Sequence, residues 1–151
     1  MQRVVRVLLW AATILLMLTI FGFSAETAEE SDSTSAIITR PLTELLAGMR
    51  AGITADEKAM LYEQVDHAVR KTAHFAEYAL LGLLAALLLR SYGLRQWWLP
   101  WLLVSLYAVT DEVHQLFLPG RSGQLSDVLL DSVGALCGCG TIFLITHDRR
   151  K

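Results

Sequence analysis

Cysteine is nearly absent. Cys137 and Cys139 are the only two in 151 residues, which excludes a disulfide framework. Two positions apart on a helix, their side chains would diverge by about 200° and cannot bridge each other. Both are expected to be small buried residues. Charge is also scarce: 19% of residues are charged, with a formal net charge of −2. A soluble domain carries about 25% charged residues. No global basic field exists to attract nucleic acid. No collagen-like period or internal repeat is present. What fills the space is apolar: 54% of residues are hydrophobic and the mean hydropathy is +0.43. That excludes a disordered chain.

The apolar residues fall in four blocks. Residues 7–23 carry no charge and nearly cross a hydrocarbon core of about 30 Å. Arg3 and Arg6 precede this block, as in a signal peptide. However, the run is long for a signal segment, and bulky Phe23 occupies the position where cleavage needs a small residue. The expectation is a retained anchor helix. Further blocks run over 73–89, 97–109 (continuing helically toward Leu116) and 128–146. Trp97, Trp98 and Trp101 open the third as an interfacial aromatic belt would. The expected fold is therefore all-α: a polytopic membrane protein built as a four-helix transmembrane bundle with an external amphipathic helical segment.

Charge gives the orientation. With an internal N-terminus and four crossings, Arg3, Arg6, Arg90, Arg95, Arg149, Arg150 and Lys151 fall on one side, with Asp148 as the sole acid there. All remaining acids fall on the other. Short Arg/Lys-rich loops stay inside, so both termini are expected in the cytoplasm, in a multi-pass membrane protein. The parts are an anchor (1–23), an external linker with amphipathic helices (24–69), a three-helix membrane core (70–146) and a basic cytoplasmic tail (147–151).

Residues 24–35 are polar and acidic, without an apolar period, and are expected to be a mobile linker. Pro41 suits the first turn of a helix, with Leu42, Leu45, Leu46 and Met49 forming its apolar stripe. Thr54 and Glu57 form a capping box for a second helix. Its period continues through Leu61, Val65, Ala68 and Val69, so it is expected to run into the second span. Both helices are expected to lie on the outer membrane surface and cover the bundle. Pro119 and Gly120 mark a turn, after which Ser126 or Asp127 can cap the fourth span.

Charged groups in spans are costly and face the protein interior or a water-filled cavity. Here they gather at the outer ends of three spans. Lys71, His74 and Tyr78 share a stripe, with Glu77 beside it. Asp111 and Gln115 share a face, next to Glu112. Asp127 and Asp131 are four apart, and Gly134 and Gly138 continue their stripe, letting a neighbouring helix approach closely. If these faces converge, they line a pocket open to the outside, with Arg121 at its rim. Crowded carboxylates there need Lys71, Arg121, a proton or a cation to offset them.

Three segments, KTAHFAEYALLG (71–82), TDEVHQLFLPGR (110–121) and DVLLDSVG (127–134), resemble in order and spacing the VanZ-like family of bacterial membrane proteins. The match extends over about residues 70–140. The family pattern marks Lys71, His74, Glu77, Tyr78, Gly82, Asp111, Glu112, Gln115, Pro119, Gly120, Arg121, Asp127 and Gly134. The chain departs from it at Asp131, where the family often carries Asn. The resemblance implies a cell-envelope setting and a link to glycopeptide (teicoplanin) tolerance, but no reaction.

The function expected from residues and resemblance together is engagement of a polar or anionic envelope molecule, such as a lipid headgroup or cell-wall precursor, at the outer leaflet. His74, Glu77, Asp111 and Glu112 are the candidate acid–base groups. Lys71, Tyr78, Gln115, Arg121, Asp127 and Asp131 are the candidate binding groups. The expected partners are the lipid bilayer and that headgroup or precursor, with no nucleic acid; neither a cofactor nor a metal is expected, since the His74–Glu77 spacing matches no established zinc pattern. The plain alternative for each is an ion pair or helix cap; for Arg121 it is a pair with Asp127 or Glu112. His67 and His114 are expected on the surface. A serine hydrolase is disfavoured, because Ser122, Ser126 and Ser132 lack an identifiable base. A membrane-embedded His/Glu enzyme is the main alternative, followed by a structural scaffold. A transporter ranks lower, because polar groups stop one or two turns into the membrane.

Overall fold

The computed structural model describes residues 1–121 and 123–148, without the side chains of His147 and Asp148. The basic tail residues Arg149, Arg150 and Lys151, and Ser122, lie outside the described residues. Five helices follow in order: α1 (Gln2–Ser24), α2 (Ala28–Gly48), α3 (Ala55–Ser91), α4 (Trp98–Gln115) and α5 (Leu125–Asp148). Among the described residues there is no strand. Three helices, α1, α3 and α5 over Leu125–Thr146, are long and apolar enough to cross a membrane. The fourth expected span, α4, does not reach that mark. It has 18 residues, and the polar Asp111, Glu112, His114 and Gln115 of its last turns make it too polar on average.

Contacts between helices fix their directions. Tyr107 Oη donates to the Met17 carbonyl at 2.8 Å, and Gln115 Nε2 donates to Ser24 Oγ at 3.0 Å. The Phe21 and His114 rings stack at 4.6 Å. Early thus meets early and late meets late, so α1 and α4 run parallel. At the opposite end Arg6 donates through Nε and Nη2 to the Ser91 carbonyl, at 3.1 and 2.7 Å. That caps the C-terminus of α3, where a cation suits the helix dipole, and makes α1 and α3 antiparallel. Trp10 Nε1 reinforces this corner by donating to Tyr92 Oη.

Helices α3 and α5 run parallel in the closest contact of the molecule. A Cβ at Gly134 would strike the Phe75 carbonyl oxygen, one at Gly138 that of Ala79, and one at Gly82 that of Ala135. These glycines therefore permit backbone-to-backbone packing, as their four-residue spacing predicts. Cys139 is buried there and directs its Sγ at the Gly82 carbonyl, 3.3 Å away. Cys137 points outward and is exposed, so the expectation that both are buried fails for one. The cause is the angular divergence that keeps the two apart.

The segment expected to be a linker is helical from Ala28 onward. Thr27 and Glu30 form a full capping box: the Thr27 side chain accepts from the Glu30 N–H, and Glu30 Oε2 accepts from the Thr27 N–H at 2.8 Å. Pro41 lies inside α2 rather than in its first turn. Proline lacks the N–H that would reach the Ile37 carbonyl; both residues are exposed, so this gap falls on the outer face. Of the apolar stripe, Leu42, Leu45 and Met49 are exposed, while Leu46 packs against the small core of Ala47, Leu61 and Val65. The buried stripe is Ser31, Ser35, Thr39, Thr43 and Ala47, small side chains at every fourth position. They seat α2 closely on the first half of α3. Ala47, Leu61 and Val65 close the far end of this seam as a small apolar core.

The Thr54–Glu57 capping box is present, and α3 runs without a break over 37 residues into the second span. At 1.5 Å per residue it is about 55 Å long. α5 begins at Leu125, so Ser126 and Asp127 fall in its first turn rather than at its cap.

Candidate functional site

The C-terminal ends of α1 and α4 and the start of α5 meet the middle of α3 at one level of the molecule, joined there by α2. The residues singled out in the sequence divide into two sets. One lines two adjoining cavities. The other lies sealed beneath them.

The first cavity, about 220 Å³, is lined by Ala28, His67, Arg70, Lys71, His74, Glu112, Gln115, Gly120, Arg121, Gln124 and Asp127. The second, about 180 Å³, is bounded by Glu26, Arg70, His74, Glu77 and Arg121, with Phe23, Ile38, Val69 and Ala73 as an apolar wall and α2 hydroxyls opposite. Arg70, His74 and Arg121 face both. Seven of the ten expected site residues are thus cavity-lining: Lys71, His74, Glu77, Glu112, Gln115, Arg121 and Asp127.

Several of these have identifiable partners. Lys71 pairs with Asp127 across α3 and α5. Glu112 Oε1 accepts the Gln124 N–H at 2.8 Å, holding the turn before α5. Gln115 is tied to Ser24, as described above. Arg121 forms no pair with Asp127 or Glu112. Its Nε donates to the Glu26 carbonyl at 3.1 Å, and its Nη2 reaches the Phe23 carbonyl at 3.5 Å. It thereby closes the C-terminal end of α1. Burial and the nearby positive Arg70 push the Arg121 guanidinium below its ordinary value. Two guanidinium groups within electrostatic reach at one cavity favour a ligand group that accepts hydrogen bonds. His74 Nδ1 is buried without a partner among the described residues. His67 is exposed. His114 is half-buried against Phe21 rather than free on the surface.

Tyr78, Asp111 and Asp131 line neither cavity. They are 0%, 2% and 2% exposed, at the junction of α3, α4 and α5. The Tyr78 ring rests on Tyr107 with centroids 6.2 Å apart. Ile20, Leu81, Val104, Ala108 and Ala135 form the apolar floor below.

One cluster was not foreseen from the sequence. Asp66 is 4% exposed and accepts from Ser35 Oγ at 2.5 Å and Thr39 Oγ1 at 3.0 Å. Arg70 Nη2 lies 2.7 Å from its other oxygen, and Arg70 Nη1 reaches Asp32 at 2.8 Å. This network docks α2 and holds Arg70 at the cavity wall. Its signal was the four-residue spacing of Ser31, Ser35, Thr39 and Thr43, hidden in a stretch that reads as low-complexity. Among the described residues no group of three or more His, Cys, Asp or Glu side chains is arranged to hold a metal ion.

Long apolar helices, held by close glycine contacts and gathering charge at one end, define a helical membrane protein. The chain belongs to the VanZ/LLP1 family, whose model matches residues 9–146. Among curated proteins and solved structures, no match was found.

Proposed function

We propose that this VanZ-family membrane protein engages a polar or anionic molecule of the bacterial cell envelope, a lipid headgroup or cell-wall precursor, in the paired cavities around Arg70, His74 and Arg121. The observation carrying this reading is the shared wall of those cavities: two guanidinium groups and an unpartnered imidazole, with an apolar face alongside. Such a lining suits a polar head joined to an apolar body. In this reading α4 is a fourth crossing, both termini are cytoplasmic and the cavities open outward, as the Arg/Lys distribution favours. The exposed apolar side of α2, with Ile38, Leu45 and Met49, rests on the outer leaflet. Teicoplanin tolerance is the phenotype through which the engagement is felt.

The test is drug susceptibility of a deletion strain complemented with wild type or with His74→Ala, each matched for protein in the membrane. Wild type restores tolerance and His74→Ala does not. Equal restoration by both overturns the assignment. A membrane-embedded enzyme is the second reading. The unpartnered His74 Nδ1 beside Glu77 favours it, because an acid–base pair needs a free nitrogen at the cavity. A scaffold predicts that tolerance follows protein abundance alone.

A further inference from the structure

Beneath the cavities, three buried polar side chains of α3, α4 and α5 converge without closed hydrogen bonds. Both carboxylate oxygens of Asp111, Oδ1 of Asp131 and the Tyr78 hydroxyl are buried and make no hydrogen bond of good geometry among the described residues, although the Ser24 and Tyr78 hydroxyls lie within hydrogen-bonding reach of Asp111. All three side chains are at least 98% buried. The Tyr78 hydroxyl lies within electrostatic reach of both aspartates. Two buried carboxylates in one enclosure are costly, because the charged form loses its hydration and like charges repel. Of the surrounding groups, Lys71 lies within electrostatic reach of Asp131 and His114 of Asp111, but among the described residues neither forms an ion pair with them. From α3 come Lys71, His74 and Glu77; from α4, Tyr107, Glu112 and His114; from α5, Asp127. Lys71, the nearby cation of α3, is already paired with Asp127. α1 contributes Ser24, which accepts from Gln115 and whose hydroxyl proton is within reach of Asp111. A metal ion does not fit, as no suitable group of ligands exists among the described residues.

We propose that Asp111 and Asp131 form a proton-binding site, a sealed carboxyl pair with the Tyr78 hydroxyl beside it, which exchanges its proton with the cavity through Glu77. Glu77 lines the second cavity and lies within electrostatic reach of both aspartates. In each exchange an O–H bond breaks at a Glu77 oxygen and forms at an aspartate oxygen. Charge is conserved within the trio, and Glu77 regains a proton from water in the cavity. The site is independent of whatever ligand the cavities hold. Its failure would leave that reading untouched.

Infrared spectroscopy of the full chain in lipid nanodiscs tests it. At neutral pH wild type shows a protonated-carboxyl C=O band that moves when aspartate alone is labelled with ¹³C. Asp111→Asn and Asp131→Asn each reduce that band by half or more, while Asp66→Asn leaves it in place. Glu77→Gln keeps the band and slows its hydrogen–deuterium exchange several-fold. No such band in wild type, or a band unmoved by aspartate labelling, overturns the site without any variant having to fold. Exchange at the wild-type rate in Glu77→Gln overturns the route.

Discussion

Helix α3 is gripped along its two halves by opposite means. Its second half meets α5 through Gly82, Gly134 and Gly138, with backbone against backbone. Its first half meets α2 through hydroxyls and a buried carboxylate, Asp66, shared among Ser35, Thr39 and Arg70. Where lipid surrounds both helices, hydrophobicity cannot distinguish a neighbour from solvent, so contact depends on close packing. Where the surroundings are mixed, a polar stripe can be buried if each group finds a partner. The α3–α5 seam is therefore sensitive to volume and the α2–α3 seam to chemistry.

The largest expected effect lies in the first seam. Gly138→Leu drives a side chain into the Ala79 carbonyl and the Leu83 amide. It should cost about 3 kcal/mol or more, seen as loss of folded protein in membranes and a lowered Tm in detergent. Gly140→Leu, which has open space around it, should leave Tm nearly unchanged. Equal losses in both would show that the close approach does not hold the bundle.

Next comes the polar seam. Asp66→Ala strands Ser35 and Thr39 and removes one of the two carboxylates of Arg70. Breaking a buried pair costs about 3–5 kcal/mol. Because Arg70 keeps Asp32 and is partly exposed, the lower end, about 3 kcal/mol, is expected. The loss should fall on α2. Amide exchange in Ala28–Gly48 should accelerate, while the α3–α5 seam stays protected. Acceleration in both regions would show that the seams are not separate.

The smallest effect is on pH. Backbone and hydroxyl hydrogen bonds from Thr27 and Thr54 hold Glu30 and Glu57 below the ordinary glutamate value of 4.5. A carboxyl lowered by folding stabilises above its unfolded value, and that stabilisation is lost as pH falls through the folded one. The first turns of α2 and α3 should therefore fray as the pH drops below about 4.5. Glu30→Gln and Glu57→Gln should abolish that pH dependence of amide exchange at residues 28–30 and 55–57. Unchanged dependence would place its origin elsewhere.

The same contrast explains what could be foreseen. Gly134 and Gly138 at four-residue spacing announced the lipid-side seam, because that seam is made of sequence-local geometry. Thr54 and Glu57 announced the start of α3. The convergence of Lys71, Glu112, Gln115, Arg121 and Asp127 followed from their common position at helix ends. The split of the polar residues did not, because whether Asp111 reaches the cavity depends on how far α4 rotates against α3. The Thr27–Glu30 box was legible but overshadowed by acidic composition. The buried hydroxyl face of α2 was not legible, because Ser35 and Thr39 are needed by Asp66, thirty-one and twenty-seven residues away.

The unbroken course of α3 makes it a single shaft carrying both attachments, Asp66 near one end and Gly82 sixteen positions on. Each residue turns a helix by about 100°. The angle between the surface offered to α2 and the surface offered to α5 is therefore set by counting residues. Lengthening the stretch between them by one would swing one partner a quarter-turn around the axis, whereas lengthening it by seven would nearly restore the phase. Arg70, Lys71, His74 and Glu77 stand on that stretch, so the same count that aligns the two partners also aims these side chains.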